Sequence, residues 1–309
     1  MPADPTVPAP YAALVDDAAL FPPRSAPLEE AVAEHRVTRA AAAADLLGSF
    51  VVDDRRLPAL LALLERDAHH GSDAPPAPLP VSVVVTGGAG AVEAAVRRAT
   101  AASPEGPGVE LRGVDVALRD LDDLAGNARR VTAAVRAVEG LGPGTAVCVE
   151  LPLTHVPDPA ASADWLTALD EVAAADLRVK LRTGGLEAAA FPSSAVLAAV
   201  VDAALDREVS FRCTAGLHHA VRHRAGDTGH EHHGFLNLLL GTAAAWDGAG
   251  RDEVVALLEE RDPATVAGAA RAAGTALTSA RRWFTSFGCC AVDEPLTDLR
   301  ELGLLARLP

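Results

Sequence analysis

The sequence predicts an α/β fold, a single (β/α)8 TIM barrel occupying residues 1–309 as one domain. Two observations carry this. Short apolar runs alternate with alanine-rich segments of helical period along most of the chain, the pattern of βα units on a parallel sheet. The runs number eight and recur at roughly 30–35 residues, the repeat of an α/β barrel. The length of 309 residues suits one such barrel with insertions. A doubly wound open sheet is the alternative that the same alternation permits.

The first run, YAALVDD (11–17), ends in Asp16 and Asp17 and leads into PLEEAVAEHRVTRAAAAADLL, an amphipathic helix. SFVVDD (49–54) ends in Asp53 and Asp54 and precedes RLPALLALLERDA. The Pro-rich stretch at 74–80 reads as a loop, because the pattern continues on both sides. VSVVVTGG (81–88) turns into AVEAAVRRATAA; its glycines fit a tight βα turn and lack the full dinucleotide fingerprint. LRGVDVAL (111–118) carries Asp115, and TAVCVELPL (145–153) carries Glu150. LRVKLRTGG (177–185) and VSFRCTAGL (209–217) are the sixth and seventh strands, with SSAVLAAVVDAAL between them. FLNLLLGTAAAW, DEVVALLEER and PATVAGAARAAGTALTSA are extra helices before the eighth strand, RWFTSFGCC (282–290). Asp293 and Glu294 open the last helix, where acidic groups favour the positive end of the dipole.

Composition narrows the function. Half of the residues are hydrophobic and 22% are charged, enough for a packed core, while 4% aromatic content leaves the packing to Ala, Val and Leu. A net charge of −15 excludes nucleic acid and anionic membrane surfaces as partners, since both need a basic footprint. No apolar run approaches the about 20 residues of a membrane span. The opening MPADPTVPAPYAAL has no basic start and no apolar centre, so no secretory signal is expected and cytoplasm is the default. Cys148, Cys213, Cys289 and Cys290 show no CxxC spacing and read as reduced, buried thiols.

Lys180 is the one lysine in the chain. Lys and Arg together number 27, so the other 26 basic residues are arginine. A drift towards arginine explains the bias but not the exception. Arginine stays protonated, whereas a lysine amine can be neutralised by its surroundings and then attack a carbonyl. In a barrel, active sites sit at the carboxyl ends of the strands. Residues two apart on a strand share a face, so Lys180 and Arg182 point the same way and Arg212 can face them from the next strand. Cationic neighbours lower a lysine pKa, and the two arginines are expected to favour the neutral amine. Asp115, Glu150 or a loop histidine would move protons. Asp16, Asp17, Arg182, Thr183, Gly184 and Gly216 are expected to bind substrate, with Arg182 and the RTGG and TAG turns forming an anion nest.

VKLRTGG, the helix opened by FPSSAVLAAV and the strand VSFRCTAG together resemble the class I deoxyribose-phosphate aldolases. The resemblance implies a (β/α)8 barrel whose sixth strand carries a Schiff-base lysine followed by a Thr-Gly turn. Lys180 with Thr183 and Gly184 matches that element. The family's seventh strand carries a second lysine after Phe; here Arg212 follows Phe211. GVDVAL resembles the fourth strand, whose Asp serves a proton relay, and Asp115 would stand there. The resemblance implies lyase or aldolase chemistry on a small carbonyl compound without a cofactor.

GLHHAVRHRAGDTGHEHHGFLN (216–237) holds His218, His219, His223, His230, His232 and His233, six of the ten histidines. Imidazoles bind divalent metals such as Zn, and Asp227 or Glu231 would complete a set, although no HExxH is present. A metal-dependent hydrolase, lyase or isomerase is therefore the second reading; it includes a site in which a carboxylated Lys180 joins these histidines with Asp16 or Asp17. A non-catalytic ligand-binding barrel is the third. In each case the partner is a small molecule, and a homo-oligomer is compatible with the sequence.

Overall fold

A computed structural model describes residues 7–41, 43–70, 77–101, 108–153, 162–226 and 228–306. Seven strands come first: β1 (Val15–Asp17), β2 (Leu47–Asp53), β3 (Leu79–Val85), β4 (Val109–Ala117), β5 (Ala146–Leu151), β6 (Arg178–Arg182) and β7 (Phe211–Thr214). The loop after β7 folds into a small antiparallel hairpin, β8 (His223–Arg224) with β9 (Glu231–His232), which the apolar pattern does not announce. The chain returns to the sheet as β10 (Phe284–Cys289). The eight long strands close in sequence order, all parallel, with β10 joining β7 to β1. The fold is the closed barrel, not the open sheet.

Helices α1 (Leu28–Ala40), α2 (Leu57–His70), α3 (Val92–Thr100), α4 (Leu124–Ala137), α5 (Ala163–Ala173) and α6 (Ser194–Leu205) follow the first six strands in turn. Between hairpin and β10 stand α7 (Phe235–Trp246), α8 (Arg251–Glu259), α9 (Pro263–Ala273) and α10 (Thr275–Ala280), and α11 (Asp293–Glu301) follows β10. Helix starts are fixed by side chains that take up free amides: Asp123 accepts from Gly126, Ser193 from Val196 and Asp262 from Thr265.

The core lies between the strands' outer faces and the helices, where Val15, Phe50, Val83, Val114, Val149, Leu181 and Phe211 meet Trp165, Leu169, Leu197 and Val200. The few aromatics gather where the extra helices cover the barrel. Phe235 of α7 stacks on Phe287 at 5.0 Å, and Phe211 stacks on Phe284 at 5.5 Å. The segment Ala188–Leu205 has the length and hydropathy of a membrane span, contrary to the expectation from apolar runs. Nine residues of α6 within it are buried in the molecule, so its apolarity has a packing explanation.

Two turns at the carboxyl end interlock. A methyl group at Gly184 would stand 2.6 Å from the Gly216 Cα, and Gly216 has φ +76°. The Thr183 hydroxyl, fully buried, donates to the Ala215 carbonyl at 2.6 Å. Gly184→Ala is expected to destabilise the fold by about 1–3 kcal/mol through overpacking, read as a lower urea midpoint; an unchanged midpoint would show that the two turns do not depend on this contact.

Candidate active site

Alternation along β6 sends Val179 and Leu181 into the outer core and Lys180 into the barrel. In register, Glu150 of β5 and Arg212 of β7 flank Lys180. The Lys180 Nζ lies 3.0 Å from Asp115 Oδ2 and 3.3 Å from Glu150 Oε2. Arg212 holds Asp115 from the other side at 3.3 Å and Asp16 at 2.8 Å. Arg182 Nε lies 2.9 Å from Glu150 Oε1. The result is a ladder of alternating charge across the interior: Asp16, Arg212, Asp115, Lys180, Glu150, Arg182.

Depth varies along the ladder. The side chains of Asp115, Lys180 and Arg212 are 2%, 5% and 6% exposed, Glu150 is 14% and Arg182 is 45%. Val84, Ala117 and Thr214, near the carboxyl ends of their strands, are only half-buried. Lys180 is therefore the floor of the carboxyl-end mouth and Arg182 is on its rim. Asp53 is absorbed locally, accepting from the Arg55 and Arg56 amides.

The electrostatics correct one expectation. Burial pushes the Lys180 pKa down and Arg212 adds to that, but Asp115 and Glu150 outweigh both and hold it above its usual value. The resting amine is protonated. Burial pushes Asp115 up, and Arg212 and Lys180 bring it below the usual carboxylate range; Glu150 is likewise lowered, against burial, by Lys180 and Arg182. Cys148, beside them, is pushed up to about 12 by burial and by Asp115, and is no nucleophile at neutral pH.

Other assignments also change. Asp16 is buried below Arg212, and its Oδ1 accepts from the Ser49 amide at 2.8 Å and hydroxyl at 2.7 Å, so it lies in the amino half of the barrel, away from the carboxyl-end mouth. Asp17 points outward to His35 Nδ1 at 2.8 Å and ties β1 to α1. Thr183, Gly184 and Gly216 fasten one turn to another. Ser49 and Ser82, hydroxyl to hydroxyl at 2.7 Å, are interior groups that the sequence reading passed over. Their signal was a small polar residue at an inward position of an apolar run.

The six loop histidines do not converge. His219 pairs with Asp298 at 3.2 Å, and His223 packs between His219 and His232 with ring centroids 4.7 and 5.1 Å away. His232 meets the Gly216 carbonyl, and both His230 and His232 pack on Phe191. His233 is buried, donating from Nε2 to the Pro192 carbonyl at 2.7 Å and accepting from Arg222 at Nδ1. Glu231 is taken by Arg261, and Asp227 lies outside the described residues. Only His218 joins a potential ligand group, with Cys289 and Glu294, whose donor atoms lie within 4.8 Å of one another. His218 Nδ1 is 2.6 Å from Glu294 Oε2 and 3.8 Å from Cys289 Sγ. Among the described residues no such His, Cys, Asp or Glu group includes Asp115, Glu150, Asp16 or Asp17.

Burial brings the His233 pKa down from 6.5 to about 4. The unfolded chain binds the proton more readily, so this group's stabilisation is complete above pH 6.5 and is lost as pH falls towards 4. Between pH 7 and 5 the loss is about 2 kcal/mol. In His233→Gln the pH 7 to 5 decrement in unfolding free energy shrinks by about that amount; an equal decrement in both proteins would remove His233 as the cause. No family model matches the chain, and no curated protein matches it.

Proposed function

We propose that the barrel is an enzyme that acts on a small carbonyl compound carrying an anionic group, with Lys180 as the imine-forming nucleophile. The observation that carries this is the single lysine of the chain buried at the floor of the carboxyl-end mouth, its amine in contact with two carboxylates. The positions of Asp115 on β4, Lys180 on β6 and a cation, Arg212, on β7 support it, being those that the aldolase resemblance implies.

The resting ammonium must lose a proton before it can attack. Glu150 is the acceptor closest to the mouth, and its basicity is suppressed by Arg182 as well as by Lys180. A substrate anion that pairs with Arg182 draws that guanidinium away, makes Glu150 more basic and allows the proton to pass from Nζ to the carboxylate. The free amine adds to the carbonyl carbon, giving a carbinolamine. Glu150 returns the proton to the carbinolamine oxygen, which leaves as water, and the nitrogen lone pair completes the iminium. Asp115, kept ionised by Arg212, stays as counter-ion. The iminium then accepts the electron pair of a neighbouring C–C or C–H bond, the step of an aldolase-type lyase.

Borohydride reduction in the presence of a panel of small aldehydes and ketones, followed by peptide mass mapping, is expected to add the reduced substrate to the peptide containing Lys180. Lys180→Arg should lose at least about 10³ in turnover of any trapped substrate, since charge is kept and the nucleophile is lost. Absence of any adduct over a broad panel would remove the proposal.

A second reading is favoured by the His218, Cys289 and Glu294 group, which offers nitrogen, sulfur and oxygen donors for a divalent ion. Burial opposes protonation of His218, but hydrogen bonds with Cys289 and Cys290 raise its pKa, and a metal would have to displace that proton. Stoichiometric zinc in the purified protein, lost with His218→Ala, would shift the assignment to metal-dependent chemistry.

A further inference from the structure

We propose that the opposite, amino-terminal mouth of the barrel is a binding site for a small multivalent oxyanion, a phosphate or its monoester. A cavity of about 400 Å³ opens there, within the size range of small-ligand sites. Five arginines line it: Arg39 from the last turn of α1, Arg112 at the start of β4, Arg178 at the start of β6, Arg212 from β7, and Arg281 between α10 and β10. Among the described residues its one acidic lining residue is Asp16, and both Asp16 oxygens are taken, Oδ1 by Ser49 and Oδ2 by Arg212. In a chain of net charge −15 such a concentration of guanidinium groups is local, not a property of the whole surface.

The arginines are incompletely paired. The Arg178 side chain makes no hydrogen bond or ion pair among the described residues. Arg281 uses Nη2 on the Ala12 and Thr285 carbonyls, while its Nε and Nη1 are buried without a partner among the described residues. Arg39 holds the Gly48 carbonyl and the His35 ring. Among the described residues Arg112 pairs only with the exposed Glu110. Burial brings the Arg281 pKa down to about 10, and Arg39 is lowered by burial and by repulsion from Arg112. Unpaired buried N–H groups and like charges facing one cavity are unfavourable, and stability alone would fill this end with apolar side chains. An oxyanion with several acceptor oxygens relieves both, and guanidinium forks match phosphate geometry.

The site does not depend on imine chemistry at Lys180. Isothermal titration of the full chain at pH 8 and fixed ionic strength tests it, with inorganic phosphate, pyrophosphate, glycerol phosphate and citrate as probes. Saturable binding of a phosphate or phosphate ester is expected, weakened at least about tenfold by Arg178→Gln and by Arg112→Gln. Neither substitution removes a bond that holds the fold together, and a thermal melt checks that each variant is folded. The preference between the free phosphates and the ester decides which form the cavity takes. No saturable binding, or binding by either variant as tight as by the unsubstituted chain, would overturn the site. Citrate binding more tightly than every phosphate would overturn the phosphoryl assignment.

Discussion

The structure turns on a line of six charges threaded through the inside of a closed sheet. Isolated, each buried member would be untenable, because moving a charge out of water costs several kcal/mol after relaxation. Set in alternation, Asp16, Arg212, Asp115, Lys180, Glu150 and Arg182 neutralise one another, and each inner member touches a partner on either side. Such an arrangement is weak evidence of selection for stability, since an apolar filling would serve as well. At rest the protons are on Lys180 and off the two acids.

The ladder also joins the two ends of the barrel. Arg212 reaches Asp115 with Nη1 and Asp16 with Nη2, and Asp16 is part of the wall of the amino-terminal cavity. The rim of the other mouth has Arg182, held among the described residues only by Glu150. Each mouth therefore presents guanidinium to solvent while the centre remains balanced. The difference is in pairing: the carboxyl end matches its cations with carboxylates, and the amino end leaves several without them.

The histidine-rich loop shows how composition misleads when placement is unknown. Six imidazoles within 22 residues suggest one centre, but the hairpin distributes them over two strands and the turns around them. One is sealed under Arg222, three pack in a row, and His218 alone turns to the end of β10, where it meets Cys289 and Glu294. Glu294 was legible as the start of a helix, but its meeting with His218 spans 76 positions and leaves no local trace.

Each of the eight apolar runs overlaps a barrel strand, the three inserted helical segments fall where their period places them, though the third is split at Gly274 into α9 and α10, and the lone lysine sits inside, because alternation of apolar runs with helical segments is a local property that the chain writes residue by residue. What the sequence could not determine was which neighbour each inward group would face. Asp16 and Asp17 are adjacent and identical, yet one turns to Arg212 inside and the other to His35 outside. The arginines expected to depress Lys180 are present, but the two carboxylates closest to its amine decide the outcome. Both results depend on which strands closure brings side by side and on distances of about 3 Å across the interior. Tertiary structure alone sets these, because Coulomb and hydrogen-bond energies follow separation in space, not in sequence.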